Sequence, residues 1–470
     1  MNIYEVLRKK GYTTIPESFY TYIANWQSWY DGYVKSFHNY KVWNGMKFIK
    51  CSRYSLGMAK KVCEDWANLL LNEKCKITLE GKKEQDFIDS VFISNNFSIK
   101  ANEMQEIKAA RGTVAYVPTV VNASVDVNTG EVNANGGEIR IDYVPADLIL
   151  PLTWENGIVS ECAFGSHKFV EKDTYLYICI HKRTGEGKYD IENLLFRDTK
   201  GSLSEVNLAD VPGFKNIAPI VHTDFTQRMF VIDRLNIVNN VDATLPMGIS
   251  VFANAIDQIK GVDIAYDSYV NEFLLGKKRI MVQPQATKTI EGEPLFDPND
   301  AVFHVLPADG LGKEVVKEID MKLRTAEHNA GIQDMLNLLS SKCGFGENHY
   351  KYDNGNVSTA TQIISENSEM FRTIKKHEII LESVLIELCR VLLRMGNAYM
   401  NAGLDEDVEI TVDFDDSIIE DKETDFNRDS RMVQMGIMNN WEFRAKWMNE
   451  DEATAKAALP KMEALVSGDE

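Results

Sequence analysis

Ser341-Lys342-Cys343-Gly344-Phe345-Gly346-Glu347-Asn348-His349-Tyr350-Lys351-Tyr352-Asp353-Asn354-Gly355-Asn356 is a compact run of turn-forming and aromatic residues, and from Ser358 it passes into one long helical pattern. Ile363, Met370, Phe371, Ile374, Leu381, Val384, Leu385, Leu388, Val391, Leu392 and Met395 recur at three- and four-residue steps with no proline between them. Unbroken to Met400, such a helix is about 60 Å long at 1.5 Å per residue, longer than an ordinary domain helix. It reads as a spine along which other layers pack.

On its N-terminal side, Leu323 to Ser340 is helical, with Ile332, Met335, Leu336 and Leu339 as a buried stripe. Further back, Met247 to Leu275 carries Phe252, Ala255, Ile256, Ile259, Val262, Tyr266, Tyr269, Val270 and Phe273 on one face. Between these helices, Lys277-Lys278-Arg279-Ile280-Met281-Val282 reads as a strand, and Pro284, Pro294, Pro298 and Pro307 punctuate an irregular insert over 277–316. If the two helices pair antiparallel, the insert sits at the tip of a stalk.

Residues 112–198 change to a strand period. Val114 to Val117, Glu138 to Tyr143, Ile158 to Ala163 and Thr174 to Ile180 are separated by glycine turns at 128–130, 135–137 and 184–187. None of those glycines lies between a strand and a helix as a phosphate cradle requires, so they read as hairpin turns. Tyr54 to Glu73 and Glu84 to Ser94 read as helices, and the aromatics of residues 1–50 as packing groups. Downstream of the spine, Asp407 to Phe414 alternates like a strand. The chain then ends in short helical pieces with breaks at Gly436, Asn439-Asn440, Asn449 to Asp451 and Pro460. The fold class is α+β.

At 470 residues the chain exceeds what one core sustains, so two or more lobes are expected. There is no run of eighteen apolar residues, and Met1-Asn2-Ile3-Tyr4-Glu5 has no signal-peptide character, which points to a chain made in the cytoplasm with no membrane partner. Seven scattered cysteines without a Cys-x-x-Cys pair suit free thiols, and neither a disulfide nor a zinc site is expected. The net charge of −19 argues against gripping nucleic acid through its phosphates, though not against DNA passing nearby.

For catalysis the best candidate is the acidic set Asp413, Asp415, Asp416, Glu420 and Asp421, since clustered carboxylates can hold magnesium for phosphoryl chemistry. No companion Lys, His or glycine-rich loop completes such a site, and a solvated acidic face is the plainer reading. His377, on the spine, reads as a polar-face or interface residue. No cofactor is implied.

Several segments in order resemble the portal proteins of tailed double-stranded DNA bacteriophages, in the branch found in phages of Gram-positive hosts. They are His38-Asn39-Tyr40 with Asn44-Gly45, Met58-Ala59-Lys60-Lys61-Val62 leading to Asp65-Trp66-Ala67-Asn68-Leu69-Leu70, Tyr143-Val144-Pro145-Ala146 with Leu150-Pro151, Cys343-Gly344-Phe345-Gly346 with Tyr352, and Ser358-Thr359-Ala360-Thr361-Gln362-Ile363-Ile364-Ser365-Glu366. The resemblance spans nearly the whole chain. It implies a portal fold with a β-rich wing (1–246), a first stem helix (247–276), a small clip (277–316), a second stem helix (317–341), a tunnel loop (342–357), a spine helix (358–400), an acidic wing strand (401–424) and a short helical crown (425–470).

By that resemblance the protein is non-enzymatic: a ring of twelve copies at one capsid vertex of the virion, through which DNA is packaged, retained and ejected. Its implied partners are double-stranded DNA without sequence specificity, the large terminase subunit, head-completion or adaptor proteins, and the major capsid and scaffolding proteins. The implied tunnel-loop residues are Lys342, Gly344, Gly346, His349, Tyr350, Lys351, Tyr352 and Gly355; those of the partner-docking clip are Lys277, Lys278, Arg279, Pro284, Pro294 and Phe296. The alternatives are another ring-forming head-tail adaptor or capsid component, and a metal-dependent nuclease.

Overall fold

The structure, a computed structural model, describes residues 3–43, 45–72, 74–121, 124–125, 132–133, 137–199, 201–215, 217–276, 279–282, 303–305, 316–319, 322–352, 360–414, 422–448 and 450–459. Its helices are α1 (Ile3–Lys9), α2 (Glu17–Tyr30), α3 (Lys35–His38), α4 (Met58–Leu70), α5 (Lys82–Ser94), α6 (Phe97–Arg111), α7 (Ile256–Leu275), α8 (Thr325–Lys342), α9 (Ala360–Met400), α10 (Lys422–Gln434), α11 (Asn440–Met448) and α12 (Glu452–Ala457). The mixture of helices and mostly antiparallel sheets is α+β.

The largest sheet is a meander of six strands. Ile149–Glu155, Ile158–Val170, Asp173–Arg183, Tyr189–Thr199 and Ser202–Val206 follow one another in space as in sequence, and Ile220–His222 adds to Tyr189–Thr199. Consecutive antiparallel neighbours need only tight turns. At 184–188 the Gly187 N–H donates to the Thr184 carbonyl, closing the glycine turn expected there. A second sheet orders Val231–Arg234, Thr113–Val121 and Glu138–Pro145. Its central strand is buried over six successive residues from Thr113, so it is covered on both faces.

α6 feeds that strand through Gly112, whose φ of +85° suits a helix C-terminus. Here two backbones cross: a Cβ on Gly112 would lie 2.5 Å from the Gly248 carbonyl oxygen, and one on Gly248 only 2.4 Å from that of Gly112. The Gly248 N–H donates to Thr113 Oγ1 at 2.8 Å, and the Val251 N–H to the Ala109 carbonyl at 2.9 Å.

α7 and α8 pair antiparallel. Ile259 and Val262 of one and Ile332, Leu336 and Leu339 of the other are buried, and Met335 lies over Gly261. At the far end Arg324 forks onto Glu272 with contacts of 3.0 and 2.8 Å. Between these helices lies a small sheet, with Arg279–Val282 parallel to Phe303–Val305 and antiparallel to Val316–Ile319.

α9 is one helix of 41 residues, and Met370, Ile374, Leu381, Val384, Leu385, Leu388, Val391, Leu392 and Met395 form its buried stripe. Phe225 meets Tyr399 on it at 5.7 Å, and the short strand Ile410–Asp413 beyond it pairs with Lys76–Leu79. The terminal helices α10 to α12 are joined through Gly436 and Asp451, where the breaks were expected.

The structure differs from the sequence reading in several places: α4 runs Met58–Leu70 rather than from Tyr54 to Glu73, and Tyr22, Tyr33 and Trp43 among the N-terminal aromatics are exposed rather than packed. The apolar run from Met247 is not helical before the short turn at Ala253–Ala255; it is buried in the core against α6, and burial on all sides produces the same unbroken apolar run as a helix face. Val316–Ile319 is a strand of the inserted sheet, so α8 begins only at Thr325. α6 was missed because Gln105 and Lys108 lie on its buried face and blur the apolar stripe.

Candidate functional site

α8 ends at Lys342 and the chain turns back immediately, because Gly344 takes a φ of +85° with its Cα against Thr373 of α9. That turn aims Phe345 into the core, where it stacks on Trp66 of α4 at 4.9 Å. The Trp66 indole N–H donates to the Cys343 carbonyl at 3.0 Å. On its other side Trp66 meets His377 of α9 edge-on at 5.1 Å. One buried indole thus ties α4, the end of α8 and the spine together.

The rest of the turn stacks on the same base. His349 lies parallel to Phe345 at 4.4 Å with its Nε2 3.9 Å from Asp65, and Tyr350 packs edge-on against both rings. Gln333 of α8 fixes the exit, donating to the Tyr350 carbonyl at 2.8 Å and accepting from the Tyr352 N–H at 2.7 Å. Of the candidate loop residues, Lys342 and Lys351 are exposed, Gly346 and Tyr350 are buried, and Gly355 lies outside the described residues.

His377, expected on a polar face or an interface, is instead buried within the chain. Its Nδ1 accepts the Asn236 N–H at 3.1 Å, and burial, with Lys108 and Lys376 adding to it, pulls its pKa down to about 3. Lys108 in turn is buried against Asp233, with contacts of 2.9 and 3.0 Å; Gln105 also donates to Asp233 at 2.9 Å. Burial lowers the Lys108 pKa, and a charge so enclosed persists only because its partner is adjacent. Arg228 braces the spine nearly three turns further on by a two-pronged contact to Glu387 at 2.8 and 2.7 Å. No spacing in the sequence announced these partners, since each pair is more than 120 residues apart.

A cleft of about 710 Å³ opens beside this brace, lined by Ile158, Tyr189, Arg228, Ile379, Arg390 and Arg394 among others. Its arginines are engaged by Glu387, Glu406 and Asp407. Of the acidic set, Asp413 sits in a strand opposite Lys76, whereas Asp415, Asp416, Glu420 and Asp421 lie outside the described residues. Among the described residues no three His, Cys, Asp or Glu side chains gather as a metal site. All seven cysteines are reduced, five of them buried.

Of the candidates in the inserted sheet, Arg279 begins its central strand, and Lys277, Lys278, Pro284, Pro294 and Phe296 lie outside the described residues. No helix among the described residues is long and apolar enough to cross a membrane.

The site is therefore a packing junction: a helical pair with a small sheet inserted between its helices in sequence, a stacked aromatic turn, and a spine braced by ion pairs. A comparison with curated proteins found no match. The sequence profile described as "Phage portal protein, SPP1 Gp6-like" matches residues 10–463, and the chain belongs to that family of phage portal proteins, structural components of the virion capsid that serve genome packaging.

Proposed function

We propose that this protein forms a ring of twelve copies at one capsid vertex, a conduit through which the duplex is packaged, retained and ejected. The observation that carries this reading is the succession of a helical pair bearing a small inserted sheet, a tight aromatic turn and a 41-residue spine, in a chain matched by the portal profile over residues 10–463. In this reading residues 1–246 with the strand region 401–424 are the wing, α7 and α8 the stem, 277–319 the clip, since Val316–Ile319 belongs to the inserted sheet, 358–400 the spine and 425–470 the crown. Adjacent stems pack side by side around the channel, burying the Ile264, Phe273, Leu274 and Leu275 that a lone α7 leaves exposed.

In this reading the exposed residues of 342–357, not its buried Cys343, Phe345, Gly346 and Tyr350, face the channel. Cys343, Phe345 and Tyr350 anchor that loop to α4, and Lys342 and Lys351 are exposed cations on it that could touch phosphate in passing. The clip, through Arg279 and its neighbours, docks the large terminase subunit during packaging and the head-completion proteins afterwards. Scaffolding and major capsid proteins surround the wing. ATP hydrolysis belongs to the terminase, and this chain contributes geometry and charge. Synthesis in the host cytoplasm precedes assembly.

The test is the solution mass of the purified protein by light scattering, with end-on particle images. A closed ring near twelve or thirteen times 53.3 kDa with a central hole is expected. A monomer at every concentration, and no such ring at the vertex of assembled heads, would refute the reading.

A further inference from the structure

The segment between α3 and α4 folds as a two-stranded hairpin, Asn39–Trp43 against Phe48–Ser52, that pairs with no other strand among the described residues. Its root is held by buried groups. His38 Nε2 lies 3.3 Å from Asp263 of α7, which also accepts from the Leu56 N–H at 2.8 Å, and the Tyr54 N–H donates to Asp267 at 3.0 Å. Its far end is the reverse: Trp43 is 55 % exposed, Phe48 66 % and Met46 86 %, and the two rings meet each other at 5.1 Å rather than the body of the protein.

An isolated two-stranded hairpin is marginal in water, and an exposed aromatic and aliphatic tip on a fixed root is a preorganised contact surface. Charge indicates the partner. In a chain whose net charge is −19, the hairpin holds Lys41, Lys47 and Lys50 and no acidic residue, so its charge is opposite in sign to that of the molecule that bears it. The α7 helix that pins it also leaves Ile264 exposed one residue from Asp263.

We propose that the Asn39–Ser52 hairpin is an arm that docks on a second copy of this chain, its Trp43 and Phe48 filling an apolar site on the neighbour and its lysines meeting acidic side chains around it. The inference rests on the ring reading above and adds a specific contact to it.

The experiment pairs two measurements on the full chain. Light scattering across a concentration series compares the unaltered protein with the Trp43→Ser, Phe48→Ser double variant. Because both side chains are exposed in the single chain, thermal melts taken below the assembly concentration should coincide, whereas the concentration needed for assembly should rise about tenfold or more in the variant. Separately, a benzoylphenylalanine photocrosslinker placed at position 43 should give, on irradiation of the assembled protein, a product mapping to another copy of the same chain.

Rings that assemble equally well in the double variant and give no intermolecular product overturn the arm while leaving the ring reading intact. An unaltered protein that stays monomeric overturns both. A crosslink found only within one copy also sinks the proposal.

Discussion

His181 shows how the core treats an ionisable ring. It is buried between Phe164 and Phe230 with its Nδ1 lacking a hydrogen-bond partner, and burial alone drives its pKa down to about 4. With His377 held to about 3, the folded chain binds fewer protons than the unfolded chain wherever the pH lies between these values and the ordinary histidine value near 6.5. Stability is therefore complete above about pH 6.5 and declines as the pH falls toward 4, by about 2 kcal/mol per histidine at pH 5. Thermal melts from pH 7.5 to pH 5 should show the decline, and His181→Phe should make it shallower without lowering stability at pH 7.5. An unchanged slope in that variant would place the acid sensitivity elsewhere. Trp66 makes the opposite case. Its indole serves α4, the aromatic turn and the spine at once, so Trp66→Ala should cost about 3–5 kcal/mol in urea unfolding. The same variant should lose the near-ultraviolet circular dichroism of the Trp66–Phe345 stack.

At the level of elements, the tightest constraint is the backbone crossing between the end of α6 and the segment entering α7. Gly112→Ala would put a methyl group against the Gly248 carbonyl at a backbone angle that L side chains rarely adopt. Strain and clash together should cost at least about 2 kcal/mol. Alanine at Gly185, in an open hairpin turn with nothing near it, should cost far less in the same denaturation assay. The spine and the helical pair were legible in the sequence because each buries one face and exposes the other, which leaves a period in the chain, and the meander because β-branched and aromatic runs alternate with glycine turns. What stayed illegible was whatever had no period. The Met247 segment is buried all round, α6 hides Lys108 and Gln105 on its inner face, and the stack of Phe345 on Trp66 joins residues 279 positions apart. The candidate glycines of 342–357 came from the resemblance; in this structure Gly344 serves a turn that seats Phe345, a role that depends on α4 and could not be seen from the loop itself.

For the whole molecule, the sign of the charge decides how DNA can be handled. A ring of twelve such chains carries about 230 formal negative charges, and at physiological salt these are screened beyond about 8 Å. In the proposed ring a duplex would therefore meet weak repulsion at close range, relieved if the exposed Lys342 and Lys351 face it, and would find no tight resting place. Proteins that clamp phosphates release counterions on binding, and their affinity falls steeply with salt, whereas a conduit of this charge has few counterions to release. Fluorescence anisotropy of a labelled 30-base-pair duplex titrated with assembled rings should show no saturation up to roughly 100 µM sites at 0.15 M salt, and only a shallow change on dilution to 0.05 M. Lys342→Glu with Lys351→Glu should leave this baseline almost unmoved, because it removes touches rather than a grip, yet should slow packaging in an assay that follows DNA entry into heads. Saturable binding with a steep salt slope would mean that the ring holds DNA, and a sliding conduit would then be the wrong description of its channel.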